Sequence, residues 1–212
     1  MAPKTRPGAR IESLFVTEIY RAKLLRRPEG LNAELEAACR SIAAEDTAGR
    51  RWCAEHDYNG YTSYASLDDL PWRASVFADL MTRLDAHVQD FARALEFDID
   101  ARRLRLDSLW INVLNPGGRH AAHIHPHSVI SGTYYVTVPE GSAAIRYEDP
   151  RLGLMMAAPP RRSKARREHR SFVDLEPEPG MVLLWESWLR HEVPANKGRS
   201  ERISVSFNYA VR

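Results

Sequence analysis

The segment HAAHIHPHSVISGTYYV, residues 120–136, decides how the rest of the chain is read. Four of the eight histidines fall inside it, at His120, His123, His125 and His127. In an extended segment successive side chains alternate between faces, so residues of equal parity share one face. His123 and His125 then point to the same side, close enough to chelate one ion. His120 has the opposite parity, and His127 follows Pro126, where the chain can turn. A same-face His-x-His pair suits a borderline metal such as iron, zinc, nickel or copper. Trp110 and Asn112 on one side and SGTYYV on the other give the cluster a folded, apolar context, unlike a tail.

Outward from this segment the two halves of the chain differ. After residue 100, short β-rich segments follow one another: LRLDSLWINVL (104–114), GTYYVTV (132–138), AAIRYED (143–149), RSFVDLE (170–176), MVLLW (181–185) and RISVSFNYAV (202–211). Turn residues separate them, which predicts a sandwich or barrel. There is no βαβ alternation, so a doubly wound parallel sheet is not expected. Before residue 100 the signals are mixed. Residues 1–10 read as a flexible start, 14–24 as a first strand, RRPEG as a turn, and 31–45 as a helix. DYNGYTSY (57–64) reads as a turn entering a short strand. Val76, Leu80, Leu84, Val88, Phe91 and Leu95 form one apolar stripe, predicting an amphipathic helix over 72–96. The expected fold class is mainly β with N-terminal helices (α+β), a cupin-like jelly roll. One domain is expected over 1–212, with 1–100 as helical support and 101–212 as the jelly-roll core.

Bulk properties narrow the function. A chain of 212 residues suffices for one well-packed domain. The formal net charge of +2 gives no general pull toward nucleic acid, so no nucleic-acid partner is expected. No apolar run approaches the roughly 20 residues that span a bilayer, so no membrane association is expected. The N-terminus lacks the apolar core of a secretory signal, which makes the cytoplasm the expected location. Cys39 and Cys53 show no metal-type spacing and read as reduced structural thiols. The basic run PPRRSKARREHR (159–170) reads as a solvated loop, and His169 goes with it. His56 and His87 read as ordinary surface or boundary histidines.

Two ligands do not complete a metal site. The later histidine that falls on scaffold rather than loop is His191, in SWLRHEVPAN, between the strands MVLLW and RISVSF. A jelly roll can bring these strands against the one following His125. His123, His125 and His191 would then take one face of an octahedron and leave the opposite face open. Eleven residues later, Arg202, Ser204, Ser206 and Asn208 share one strand face, with Ile203, Val205, Phe207 and Tyr209 on the other. Such a polar face is costly against apolar core and makes sense lining a cavity. An arginine fork binds a carboxylate in bidentate fashion. Arg202 could hold the distal carboxylate of a keto-diacid whose keto-acid end chelates the metal.

Together these residues resemble the Fe(II)/2-oxoglutarate-dependent oxygenase superfamily, and more narrowly its bacterial and phage 2OG-Fe(II) oxygenase family. The resemblance is carried by Trp110-Ile-Asn112, His123-Ile-His125-Pro126, Ser131-Gly-Thr-Tyr134-Tyr135, Asp149-Pro150-Arg151, Ser187-Trp188-Leu189-Arg190-His191-Glu192-Val193 and Arg202-Ile-Ser204-Val-Ser206-Phe207-Asn208. It runs from about residue 104 to the C-terminus. It implies a double-stranded β-helix, with 2-oxoglutarate chelating Fe(II) and its far carboxylate on Arg202, helped by Ser204. Asn112, Tyr134 and Asn208 are its secondary candidates for the co-substrate pocket. In this superfamily oxygen and 2-oxoglutarate yield succinate, carbon dioxide and an oxidant that usually hydroxylates an unactivated C–H bond. The superfamily's usual triad is two histidines and a carboxylate, whereas here the second position is His125. Asp149 is the alternative source of a carboxylate. Tyr147, Asp149, Arg151 and Trp188 are candidates for the substrate entrance, and the prime substrate, small molecule or protein, is not specified. Jelly-roll oxygenases are often dimers, so a homodimer is one candidate assembly, and the sequence leaves the oligomeric state open. Two other readings remain: a three-histidine cupin-type dioxygenase without 2-oxoglutarate, which has no use for Arg202, and a non-enzymatic metal-binding module, which predicts a closed coordination shell. Nucleic-acid modification is a weaker third, suggested by the basic loop.

Overall fold

Strand alternation and one strong helical stripe account for most of the architecture. The computed structural model describes residues 6–100 and 103–212. The first half of the expected flexible start, residues 1–5, lies outside the described residues. Among the described residues ten strands are present: β1 (Ile19–Lys23), β2 (Gly60–Thr62), β3 (Leu104–Leu114), β4 (His120–His123), β5 (Ile130–Thr137), β6 (Ile145–Glu148), β7 (Phe172–Leu175), β8 (Met181–Glu186), β9 (His191–Val193) and β10 (Arg202–Val211). They form a six-stranded sheet in the order β1-β8-β5-β10-β3-β2 and a four-stranded sheet in the order β4-β9-β6-β7. Neighbouring strands are antiparallel throughout both sheets. Four helices precede β3: α1 (Glu29–Glu45), α2 (Thr47–Glu55), α3 (Leu70–Arg73) and α4 (Ser75–Ala94).

The larger sheet is covered on both faces, which explains why β8 reads as an unbroken apolar run. Val182 and Leu184 join the core shared with the helices, alongside Leu35, Phe77, Leu80 and Leu84. Met181, Leu183 and Trp185 face the other way and pack with Ile145, Tyr147 and Leu175 of the smaller sheet. The same alternation in β10 sends Ile203, Val205, Phe207 and Tyr209 toward the helices. Its even-numbered residues are thereby left between the two sheets, where a cavity can form. Gly132 is required by closeness: a Cβ there would come within 2.5 Å of the Phe207 ring and 2.6 Å of Leu184.

The first hundred residues do more than support the barrel. β1 and β2 form the two edges of the larger sheet. Helix α2 gives no apolar stripe and is absent from the sequence expectation. It is set by Asp46, whose side chain accepts from Gly49 N at 2.9 Å as an N-cap. The helix expected over 72–96 is divided, because Ala74 takes an extended conformation between α3 and α4. Cys39 and Cys53 are free and buried, and burial pushes the Cys39 thiol up to about 12. The basic run 159–170 lies exposed in the β6–β7 connection. Among the described residues no helix is long and apolar enough to cross a membrane.

Candidate metal centre

The three predicted ligands meet because β4 and β9 lie side by side, with His123 opposite His191. Two residues further along β9, Val193 is opposite His120, three residues back along β4. The extra residue is a β-bulge, which re-aims side chains. It turns His120 onto the same side as His123. The parity expectation for His120 is therefore overturned: it lines the cavity between the sheets. His125 lies just beyond β4, where its backbone N–H donates to Ser187 O at 3.0 Å. The potential ligand atoms of His123, His125 and His191 all lie within 4.8 Å of one another.

Backbone carbonyls fix two of these rings. His123 Nδ1 donates to Ala121 O at 2.7 Å, and His191 Nδ1 donates to Leu189 O at 2.9 Å. A carbonyl only accepts, so the proton sits on Nδ1 and the Nε2 lone pair is free for a metal. His125 Nε2 lies 3.3 Å from His191 Nε2. Burial, reinforced by the neighbouring imidazole of His123, pushes His125 down to about 4 and His191 to about 3. Both rings are neutral at physiological pH, the form that ligates metal. This donor set fits a divalent borderline metal.

Behind the histidines the cavity, of about 50 Å³, is lined by Asn112, Trp110, Trp185, Arg202, Ser204 and Ser206, among others. Arg202 is 3% exposed. Its NH1 group donates to Ala143 O at 3.3 Å, and its guanidinium lies 5.0 Å from the centre of the Tyr135 ring. Among the described residues its Nε–H has no partner, and it forms no ion pair with any of them. Asn112 Nδ2 donates to Ser206 Oγ at 3.0 Å, while its Oδ1 is buried without a partner. Buried polar groups are nearly always satisfied, so orphans converging on one cavity mark a ligand's place.

Four expectations need correction. Tyr134 belongs to the core shared with the helices, and its hydroxyl donates to Asn32 Oδ1 at 2.6 Å. Strand alternation turns it away from the cavity and puts Tyr135 beneath Arg202 instead. Asn208 has the right parity but sits at the far end of β10. Its Oδ1 accepts from Ser131 Oγ at 2.8 Å and its Nδ2 donates to Ser108 Oγ at 3.0 Å, so it is fully engaged. Asp149 is not in the ligand cluster, because both its oxygens are held by Arg151 at 2.9 and 2.8 Å. Tyr147 is wall rather than entrance: it is 5% exposed, packed edge-on to Trp185 at 5.5 Å and 6.2 Å from His191. Trp188, 47% exposed, and Arg151, also exposed, lie at the surface, and neither is among the residues that line the cavity. Sequence reasoning missed Tyr58, whose hydroxyl meets His120 Nε2 at 3.1 Å. No local pattern marks it, because the two residues are 62 apart in sequence.

Residues 108–208 match the family model described as "Putative 2OG-Fe(II) oxygenase". No curated protein matches the sequence. Among solved structures, a Pseudomonas putida prolyl-4-hydroxylase is 17% identical with a TM-score of 0.59, covering 92% of this chain and 89% of that one. The epimerase SnoN from nogalamycin biosynthesis, in complex with Fe3+, alpha ketoglutarate and nogalamycin RO, is 14% identical with a TM-score of 0.63, covering 92% of this chain and 79% of that one. HygX from Streptomyces hygroscopicus, with nickel and 2-oxoglutarate bound, is 14% identical with a TM-score of 0.62, covering 92% and 83%. These likenesses identify the two antiparallel sheets as a double-stranded β-helix. The matched stretch, just under half of the chain, contains all three clustered histidines and Arg202, and over it the chain is similar to the 2OG-Fe(II) oxygenase family.

Proposed function

We propose that the protein is an Fe(II)- and 2-oxoglutarate-dependent dioxygenase that carries out a hydroxylase-type oxidation. The observation that carries this reading is Arg202: a buried guanidinium with no carboxylate partner among the described residues, in the cavity that also presents three clustered imidazoles. Burying an unpaired charge is costly, and a ligand carboxylate removes the cost.

His123, His125 and His191 would hold the iron from one side and leave the other open. With 2-oxoglutarate and oxygen, bound iron supplies an oxidation coupled to loss of carbon dioxide from the keto acid, which ends as succinate. The chain's own residues bind and orient. Arg202 would take the far carboxylate, and Ser204 lines the cavity beside it. The carbonyls of Ala121 and Leu189 keep two rings from rotating and direct Nε2 at the metal. Trp110 and Trp185 wall the cavity and exclude water from the reacting groups. Substrate would approach from the side of Ile124, Trp188 and Arg151, all exposed. Two free thiols suit a reducing compartment, so the cytoplasm is the location proposed.

Anaerobic titration with Fe(II) and then 2-oxoglutarate tests the reading. A weak visible charge-transfer band is expected as the keto acid chelates the metal. Bound iron without that band would favour a three-histidine cupin-type centre that does not use 2-oxoglutarate.

A further inference from the structure

The β4 bulge spends one residue of a four-residue strand, and its effect is to bring His120 into the cavity. Without it Ala121 would oppose Val193, and His120 would point away. His120 thus joins Arg202, Asn112 and Ser204 at the cavity wall.

Its partner decides what it offers there. The Tyr58 hydroxyl lies 3.1 Å from His120 Nε2, with the rings edge-on at 5.4 Å. Burial pushes the Tyr58 phenol far above its ordinary range, so it keeps its proton. With the phenol donating to Nε2, the imidazole proton sits on Nδ1. No residue pairs with Nδ1 among the described residues. Among the described residues two buried donors of the cavity lack acceptors, Arg202 Nε–H and Trp185 Nε1–H, and His120 lines the same cavity. A carboxylate, which only accepts and offers about four lone-pair sites, complements that set. Burial, and then the charge of Arg202, keeps His120 uncharged by pushing it down to about 3. It adds a donor without a second positive charge.

We propose that His120, held in one tautomer by Tyr58, is a second co-substrate-binding group beside Arg202, donating from Nδ1 to the far carboxylate of 2-oxoglutarate. This rests on the co-substrate reading above and assigns a role to two residues outside the three-histidine cluster.

The test is the affinity of the Fe(II)-loaded protein for 2-oxoglutarate without oxygen, read from the charge-transfer band, with Fe(II) affinity measured in parallel. His120→Ala is expected to weaken 2-oxoglutarate binding by about tenfold or more, the loss of one hydrogen bond to a charged group. Fe(II) affinity should stay at the level of the unaltered protein. His120→Asn, whose Nδ2 takes the place of Nδ1, should recover most of the loss. Tyr58→Phe should fall between. Binding of 2-oxovalerate, which lacks the far carboxylate, should be equal in all four proteins. Unchanged 2-oxoglutarate affinity in His120→Ala would overturn the proposal. So would equal impairment in the Asn and Ala variants, or an equal loss for 2-oxovalerate, since either makes the ring a packing element only. If the unaltered protein binds iron and shows no band, the co-substrate reading itself fails, and the two failures are told apart.

Discussion

The two ends of one face of β10 are built to opposite rules. At Asn208 every polar atom is engaged: Oδ1 accepts from Ser131, Nδ2 donates to Ser108, and Ser131 reaches Ser187 Oγ at 2.7 Å. At Arg202, six residues away on the same face, the guanidinium has one long bond to a carbonyl and an orphaned Nε–H. Asn112 Oδ1, Trp185 Nε1, Tyr135 Oη and Tyr147 Oη are also unpartnered around this end and its neighbouring walls. Both ends are equally buried. Burial alone therefore does not separate structural polarity from functional polarity. Satisfaction does: one end is complete, and the other is completed by what binds.

The largest effect that sharpens this contrast is loss of the metal. His191 packs against both His123 and His125, at ring separations of 4.4 and 5.1 Å, and its removal leaves two ligands and no facial set. His191→Ala is expected to lower Fe(II) affinity by about a hundredfold or more. Equilibrium dialysis against Fe(II), with circular dichroism to show the sheets intact, checks it. Retained iron binding would reassign the ligand set.

Next comes the unsatisfied end itself. Arg202→Met keeps the side chain's bulk and removes its charge. The variant should need about a hundredfold more 2-oxoglutarate for half-saturation, with Fe(II) affinity unchanged. In the absence of co-substrate it should also melt at a higher temperature than the unaltered protein, because a buried charge without a carboxylate partner is gone. A lower melting temperature would show that Arg202 is a structural residue, and the contrast along β10 would collapse.

The satisfied end should behave in reverse. Asn208→Ala removes two side-chain hydrogen bonds, from Ser131 and to Ser108, and is expected to cost about 2 kcal/mol of stability in urea unfolding. Its 2-oxoglutarate affinity should not change. A loss of co-substrate binding with normal stability would return Asn208 to the pocket, where sequence reasoning places it.

That misplacement shows where sequence reading stops. Parity along β10 correctly separates Arg202, Ser204 and Ser206 from the helix-facing residues, because a strand's two faces are a local property. The same rule puts Asn208 with them, but parity says nothing about how far along a strand a cavity extends. It fails for His120, because a bulge is a register event between two strands and leaves no mark in HAAH. It fails for Tyr134 because adjacent tyrosines look alike until one knows which face of β5 meets the helices. The β-rich half was legible from alternation and turns. Helix α2 was not, because capping and tertiary contact hold it rather than an apolar stripe.

Asp46 carries the contrast into the helical region and to the smallest effect. It caps α2 through Gly49 N and also accepts from Tyr61 Oη at 2.8 Å and from Ser66 Oγ. It is thus a satisfied group like Asn208, but a titratable one. Burial pushes its carboxyl up, but the bonds from Ser66, Gly49 and Tyr61 together outweigh that and hold it below the ordinary aspartate range. A carboxyl whose folded pKa is depressed contributes stability that is full above its unfolded pKa, about 3.9, and is lost as pH falls through the folded value. Asp46→Asn should therefore cost about 1 kcal/mol near neutral pH, and the gap from the unaltered protein should close below about pH 4. Urea unfolding at a series of pH values measures that gap. A gap that persists undiminished at pH 3 would mean that the carboxylate's charge contributes nothing to the cap. Asp46 would then resemble Asn208 in geometry alone, and satisfaction in this fold would be a matter of hydrogen bonds without charge.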